Sequence, residues 1–157
     1  MRLNKYTTRL DDNKLTILVK ESSCNYNAVD SLSSASKVFR MMNDAFYASL
    51  QAEEYVWVIA LNTKCRPVGI FEISHGTVNM SVVEPREVFI RLCLCGAVSF
   101  IMVHNHPSGD VCPSDSDDKL TSRMKEAGKM MRIEMLDHII IGQNYYSYQE
   151  SARWNGV

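Results

Sequence analysis

The chain has 157 residues, 46% of them hydrophobic and 22% charged, with a net charge of −1. That length and mix suit one globular domain with its own core, and they exclude a chain disordered over most of its length. The balance of 17 Lys+Arg against 18 Asp+Glu lacks the overall positive excess of a dedicated nucleic-acid binder. Five cysteines (Cys24, Cys65, Cys93, Cys95, Cys112) are odd in number and share no paired spacing, so a reducing compartment fits better than a disulfide framework. No apolar run reaches membrane-spanning length. The opening Met1-Arg-Leu-Asn-Lys-Tyr-Thr-Thr-Arg9 lacks the apolar core of a signal peptide. The expectation is a cytoplasmic protein with no membrane role.

Residues 1–30 are polar and weakly patterned, and read as an N-terminal extension with one short strand at Leu15–Val19. From 31 to 157 the pattern is that of one domain. Val38, Met41, Met42, Ala45, Phe46 and Ser49 recur at helical spacing, which predicts a helix over 34–50 capped by Ser33 or Ser34. Tyr55–Leu61 is a continuous β-rich run, hence a strand buried on both faces. A polar turn leads to a returning strand at Val68–Ile73, which Gly76 ends. Glu84-Pro85 opens a second helix with Val88, Leu92, Leu94 and Cys95 on its apolar side. Ser99–Val103 is a third buried strand, followed by a loop from His104 to Pro113. A third helix spans 114–131, with Leu120, Met124, Ala127 and Met131 on one face. Strands at Ile133–Ile141 and Tyr145–Tyr148 close the chain. This order predicts an α/β sandwich, one mixed sheet with helices on both faces.

The chemistry sits in His104-Asn-His106-Pro-Ser-Gly-Asp-Val-Cys-Pro-Ser114-Asp-Ser-Asp117. Two histidines two apart at the end of a strand point to one face, with Asn105 opposite. Pro107-Ser-Gly109 turns the chain away, and Pro113-Ser114 starts the next helix with Asp117 in its first turn. If that turn folds back over the strand end, two imidazoles and a carboxylate meet. Such a set leaves the fourth tetrahedral position of a zinc ion for water, whose pKa zinc can lower to about 7. Ser114-x-x-Asp117 also has the form of a capping box, and capping is compatible with ligation. His-Asn-His alone does not make an HNH nuclease, whose residues are spread over a ββα unit. The zinc deaminases need P-C-x-x-C, whereas Cys112-Pro-Ser-Asp115 stands here.

His-x-His, seven residues, Ser, two residues, Asp resembles the JAMM metalloprotease motif, matched by His104, His106, Ser114 and Asp117. The context of Glu84-Pro-Arg-Glu87, Val103–Gly109 and Leu136-Asp-His-Ile139 is similar to the RadC-like branch of the JAB/MPN family, over about residues 34–150. The resemblance implies a cytidine-deaminase-like three-layer α/β/α sandwich. It implies zinc on His104, His106 and Asp117, and a glutamate general base just before an early buried strand. Glu54 is the matching position, with Glu53 the neighbouring alternative. Glu54 would move a proton from the attacking water to the leaving amine, and the Ser114 hydroxyl could donate to the developing oxyanion. His138 belongs to the family pattern, and a residue behind the ligands or a buried structural histidine is favoured over a ligand. His75 reads as solvated, and Cys112 as a small loop residue or a redox-sensitive thiol.

Two functions follow. The first is a zinc-dependent peptidase or isopeptidase acting on a polypeptide. The second is a DNA-repair or mobile-element accessory protein on DNA or a DNA-bound partner, after the label that RadC-like proteins carry. Its physical support is two basic stretches, in residues 1–20 and at Lys119, Arg123, Lys125, Lys129 and Arg132, the latter readable as a solvated helix face. A scaffold without catalysis is a third reading, opposed by the filled ligand positions.

Overall fold

The computed structural model describes residues 1–76 and 83–157. Among them, one mixed sheet holds β1 (Arg2–Leu10), β2 (Thr16–Asn25), β3 (Tyr55–Leu61), β4 (Pro67–His75), β5 (Ser99–Asn105), β6 (Glu134–Ile141) and β7 (Tyr145–Ser147). The spatial order is β2-β1-β4-β3-β5-β6-β7. β1 runs parallel to β4 and β5 parallel to β6, while the remaining neighbours are antiparallel. The helices are α1 (Ala35–Phe46), α2 (Pro85–Leu94) and α3 (Asp115–Met131). A parallel pair needs a crossover, and α3 supplies it between β5 and β6.

Strand alternation sorts the core into two layers. Trp57, Ile59 and Leu61 of β3 share one cluster with Val38, Met41 and Met42 of α1. Val56, Val58 and Ala60 share the other with Val88 and Leu92 of α2 and Leu120 and Met124 of α3. Thus α1 covers one face, and α2 and α3 the other. This is the α/β/α sandwich expected from the pattern. No helix among the described residues is long and apolar enough to cross a membrane.

The first 30 residues differ most from the sequence expectation. They form a β-hairpin, β1 with β2, where a single short strand at Leu15–Val19 was expected. The hairpin joins the sheet through Lys5 beside Ile70, and buries Leu3 in the α1-side core. Most of its other side chains are exposed or half-buried, so it carries little of the apolar alternation that marks a strand. Helix α1 stops at Phe46 rather than 50, because Tyr47 takes a left-handed conformation (φ 52°) and its N–H returns to the Asn43 carbonyl. A 3-10 turn at Ala48–Leu50 follows. On α2 the buried side is Val88, Phe89 and Leu92, and Leu94 faces solvent. On α3 Met131 is exposed, whereas Thr121 and Gly128 are buried with Leu120 and Met124.

Candidate metal centre

β5 is buried along its whole length, and its even positions face α3. His104 is the last of these, fully buried, and His106 follows one step beyond the strand. The chain then turns at Pro107–Gly109, and the His106 amide bonds the Ile141 carbonyl at 2.8 Å, which fixes the turn against the end of β6. Gly142 lets this turn close: a Cβ there would lie 2.4 Å from the Gly109 carbonyl oxygen.

The same turn brings the start of α3 back over the strand. Ser114 caps the helix as a complete capping box. Its hydroxyl accepts from the Asp117 amide at 3.2 Å, and its amide donates to Asp117 Oδ2 at 2.7 Å. The Ser114 hydroxyl proton also goes to Asp117 Oδ2, at 2.7 Å. One carboxylate oxygen is thereby held by the cap. The other, Oδ1, is buried and has no hydrogen-bond partner among the described residues.

Asp117 Oδ1 lies 3.4 Å from His104 Nε2, and Oδ2 lies 3.7 Å from His106 Nε2. The two Nε2 atoms are 3.0 Å apart. A tetrahedral ion with bonds of about 2.0–2.1 Å spaces its donors roughly 3.3 Å apart. The three side chains therefore already stand at the edges of such an ion's coordination shell. With Glu54 included, one donor atom from each of the four residues lies within 4.8 Å of every other. The unpartnered Asp117 oxygen is what a cation would satisfy, so the residues fit a metal ion.

The structure separates the two candidate glutamates. Glu54 is half-buried and belongs to the cluster, while Glu53 is exposed and lies beside Gly76. The placement of Glu54 depends on Asn105, on the other face of β5. The β3–β5 ladder ends at Val56 opposite His104. One residue further, the Asn105 side chain takes over from the ladder. Its Oδ1 accepts from the Tyr55 amide at 2.7 Å and its Nδ2 donates to the Glu53 carbonyl at 3.0 Å. The Glu54 carbonyl accepts from the Gly76 amide at 3.1 Å. The backbone around Glu54 is thus fixed on three sides.

The electrostatics follow burial and charge. Burial raises the Glu54 carboxyl above its ordinary range, with His106 opposing and Asp117 adding to the rise. Burial, then the neighbouring His138, hold His104 well below the usual imidazole value. His106 is raised, chiefly by the neighbouring Asp117 carboxylate. Burial works against ionising Asp117, but His106, the nearby His104 and the two Ser114 bonds outweigh it and keep the carboxyl below the usual range. The cluster opens on a cleft of about 690 Å³ lined by Glu53, Glu54, His106, Ser108, Ser114 and Asp117.

Other sequence candidates lie off the cluster. His75 is exposed, bonded to Glu72 at 2.8 Å and stacked on Tyr55. Cys112 is an exposed free thiol, like Cys24 and Cys93. His138 is buried directly behind His104, at 2.8 Å from its Nδ1. The sequence reading gave Asn105 only an orientation and Thr121 no role, because Asn105 acts on Tyr55, 50 positions away, and Thr121 on His138, 17 positions away.

Fold and cluster together define an α/β/α sandwich protein with a candidate metal centre of two histidines, an aspartate and a glutamate at the β5–α3 junction. The chain belongs to the RadC-like JAB domain family, whose sequence model matches residues 32–154. It is similar to a UPF0758 protein of Alkaliphilus metalliredigens, 50% identical over 101 residues that make up 64% of this chain and 44% of that protein. A UPF0758 protein of Chlorobium chlorochromatii is 46% identical over 101 residues, 64% of this chain and 46% of that protein. One of Pelobacter propionicus is 44% identical over 109 residues, 68% of this chain and 48% of that protein. The chain thus spans less than half the length of these relatives.

Proposed function

We propose that the chain is a zinc-dependent hydrolase of the JAMM type, a peptidase or isopeptidase. The observation that carries this reading is the buried, unpartnered Asp117 Oδ1 aimed into a cluster with His104 Nε2, His106 Nε2 and Glu54. Three protein ligands with an open fourth position mark a catalytic rather than a structural zinc site. His104, His106 and Asp117 would hold the ion, which when bound would supply a Lewis acid for a carbonyl and a water acidified to about pKa 7.

This chain's own residues would do the rest. Glu54, raised by burial and bounding the cleft, is suited to take a proton from the attacking water and return it to the leaving nitrogen. Asn105 keeps its backbone in place while leaving the side chain free to move that proton. Ser114 is the expected oxyanion donor, but its hydroxyl donates to Asp117 Oδ2. It serves the oxyanion only after turning away from Asp117; where it stays, it orients a ligand.

The alternative partner, DNA, would draw on the basic stretch of α3. Within that stretch Lys125 is turned onto its own chain, donating to the Val157 carbonyl at 2.8 Å and lying 4.1 Å over the Trp154 ring. Arg123 likewise donates to the Val83 carbonyl at 2.7 Å. The polypeptide reading is therefore preferred.

The test is the zinc content per chain of protein purified without added metal, beside Asp117→Ala and His106→Ala. One zinc in the parent and little in either variant is expected. A peptide and isopeptide screen with Glu54→Ala as control follows: cleavage by the parent that Glu54→Ala abolishes supports the hydrolase. Zinc without cleavage of any peptide or isopeptide would overturn it in favour of a scaffold.

A further inference from the structure

The two histidine ligands orient themselves in different ways. His106 Nδ1 lies 2.7 Å from the Asp110 carbonyl oxygen, which can only accept. Its Nδ1 therefore carries the hydrogen, and Nε2 offers a lone pair to the cluster. Such a carbonyl partner is the usual orienting device of a metal-bound histidine. His104 has no such partner. Its Nδ1 faces another imidazole, His138 Nε2, at 2.8 Å. A second imidazole can donate or accept, so by itself it selects nothing.

The selection must come from what holds His138. Its Nδ1 lies 2.6 Å from Thr121 Oγ1, and the Thr121 hydroxyl donates to the Asp117 main-chain carbonyl at 2.6 Å. With its one proton spent there, Thr121 can only accept from His138. His138 then carries its hydrogen on Nδ1 and presents a lone pair at Nε2. His104 donates Nδ1–H to that lone pair, which leaves His104 Nε2 bare toward the cluster. If the line ran the other way, His104 Nε2 would carry a hydrogen and be closed to a cation.

We propose that His138 and Thr121 form a relay that sets the tautomer of His104 and thereby the affinity of the metal centre. Both are positioning residues that act through His104, and this inference rests on the metal reading above. The line of bonds is buried: His104, His138 and Thr121 are all 0% exposed, so water cannot substitute for a missing member. Tyr148 stacks on the His138 ring at 5.2 Å and 8°, and its hydroxyl is tied to Asp118 at 2.7 Å, so the ring cannot swing away from the line. The relay begins at one ligand, His104, and ends on the main chain of another, Asp117. A shift of α3 would therefore disturb both ligands together.

The experiment compares zinc affinity, by competition with a chromophoric chelator, in the full chain and in Thr121→Val and Thr121→Ser. Thr121→Val keeps the side-chain shape and removes both the donor and the acceptor. It should weaken zinc roughly 10- to 100-fold, the range found for partners behind metal ligands, and Thr121→Ser should restore most of the loss. Ring nitrogen-15 spectra of the zinc-loaded parent supply a reading that needs no variant to fold. They should show His138 protonated on Nδ1 and not on Nε2. A parent that takes up no zinc overturns the metal reading and this inference with it. A parent that binds zinc while Thr121→Val binds it as tightly, or with His138 protonated on Nε2, overturns the relay alone.

Discussion

Asn105→Ala removes two hydrogen bonds from a site that is 1% exposed. The bonds to the Tyr55 amide and the Glu53 carbonyl are each worth about 1 kcal/mol net. Leaving the Tyr55 N–H unpaired at the end of the β3–β5 ladder adds about 1 kcal/mol more, so the loss should be about 3 kcal/mol. In a domain of this size that lowers the melting temperature by roughly 6–12 °C. Asn105→Asp should also destabilise, because it keeps an acceptor for Tyr55 but sets a second oxygen against the Glu53 carbonyl. The assay is urea denaturation of chelator-treated protein, with hydrogen exchange of the Tyr55 amide read alongside. Because the Asn105 side chain lies on the face away from His104, zinc stoichiometry should survive while Tyr55 exchange accelerates. A loss under about 1 kcal/mol, or Tyr55 exchange as slow as in the parent, would refute the claim that this side chain fixes the Glu54 segment.

In Gly142→Ala, the new Cβ would stand 2.4 Å from a backbone oxygen that has no rotamer to yield, so overpacking should cost roughly 1–3 kcal/mol and weaken zinc tenfold or more through the loop that holds His106. Chelator competition checks it, and unchanged affinity would detach the loop from the site. Ser114→Ala should lose about 1 kcal/mol in urea unfolding as the cap goes, with Ser114→Thr recovering most of it. In metal-free protein, His138 (ordinarily 6.5, held at about 4 by burial) is protonated first in the unfolded chain, so it removes stability as pH falls from 6.5 toward 4, and His104 acts in the same direction. Asp137 (ordinarily 3.8, pushed up to about 6 by burial) is protonated first in the folded chain, so it adds stability as pH falls from 6 toward 3.8 and offsets part of that loss. Asp137→Asn should therefore steepen the acid loss between pH 6.5 and 4 by about 3 kcal/mol in urea midpoints taken across that range; equal slopes in parent and variant would refute the opposition.

What could be read from the sequence tracks what a side chain does within its own element. His104 and His106 were legible because strand alternation alone puts them on one face. Asp117 was legible because Ser114-x-x-Asp117 places a carboxylate in the first turn of a helix. Both halves of the site lie within 14 residues, joined by one Gly/Pro turn. Glu54 needed the family resemblance, since a glutamate ahead of a strand has no periodic signature; its neighbour Glu53 differs only in which way the backbone carries it. The hairpin of β1 and β2 escaped because a strand that buries little besides Leu3 shows no apolar alternation. The stop of α1 escaped because Tyr47, not glycine, takes the left-handed position.

Asn105 and Thr121 escaped for a different reason, and it bears on how the centre works. Each looks locally ordinary, a polar residue between two histidines and a threonine on a helix. Each acts on a residue brought near only by the sheet, Tyr55 at a separation of 50 positions and His138 at 17. The groups that would touch a metal come from one short segment, which also supplies Asp110 behind His106 and Ser114 behind Asp117, whereas the groups that orient His104 come from α3 and β6. A short peptide spanning residues 104–117 would carry all three ligands, and with them Asp110 and Ser114, but neither His138 nor Thr121. The folded sheet is therefore what completes the ligand spacing, by turning the His104 lone pair toward the cluster.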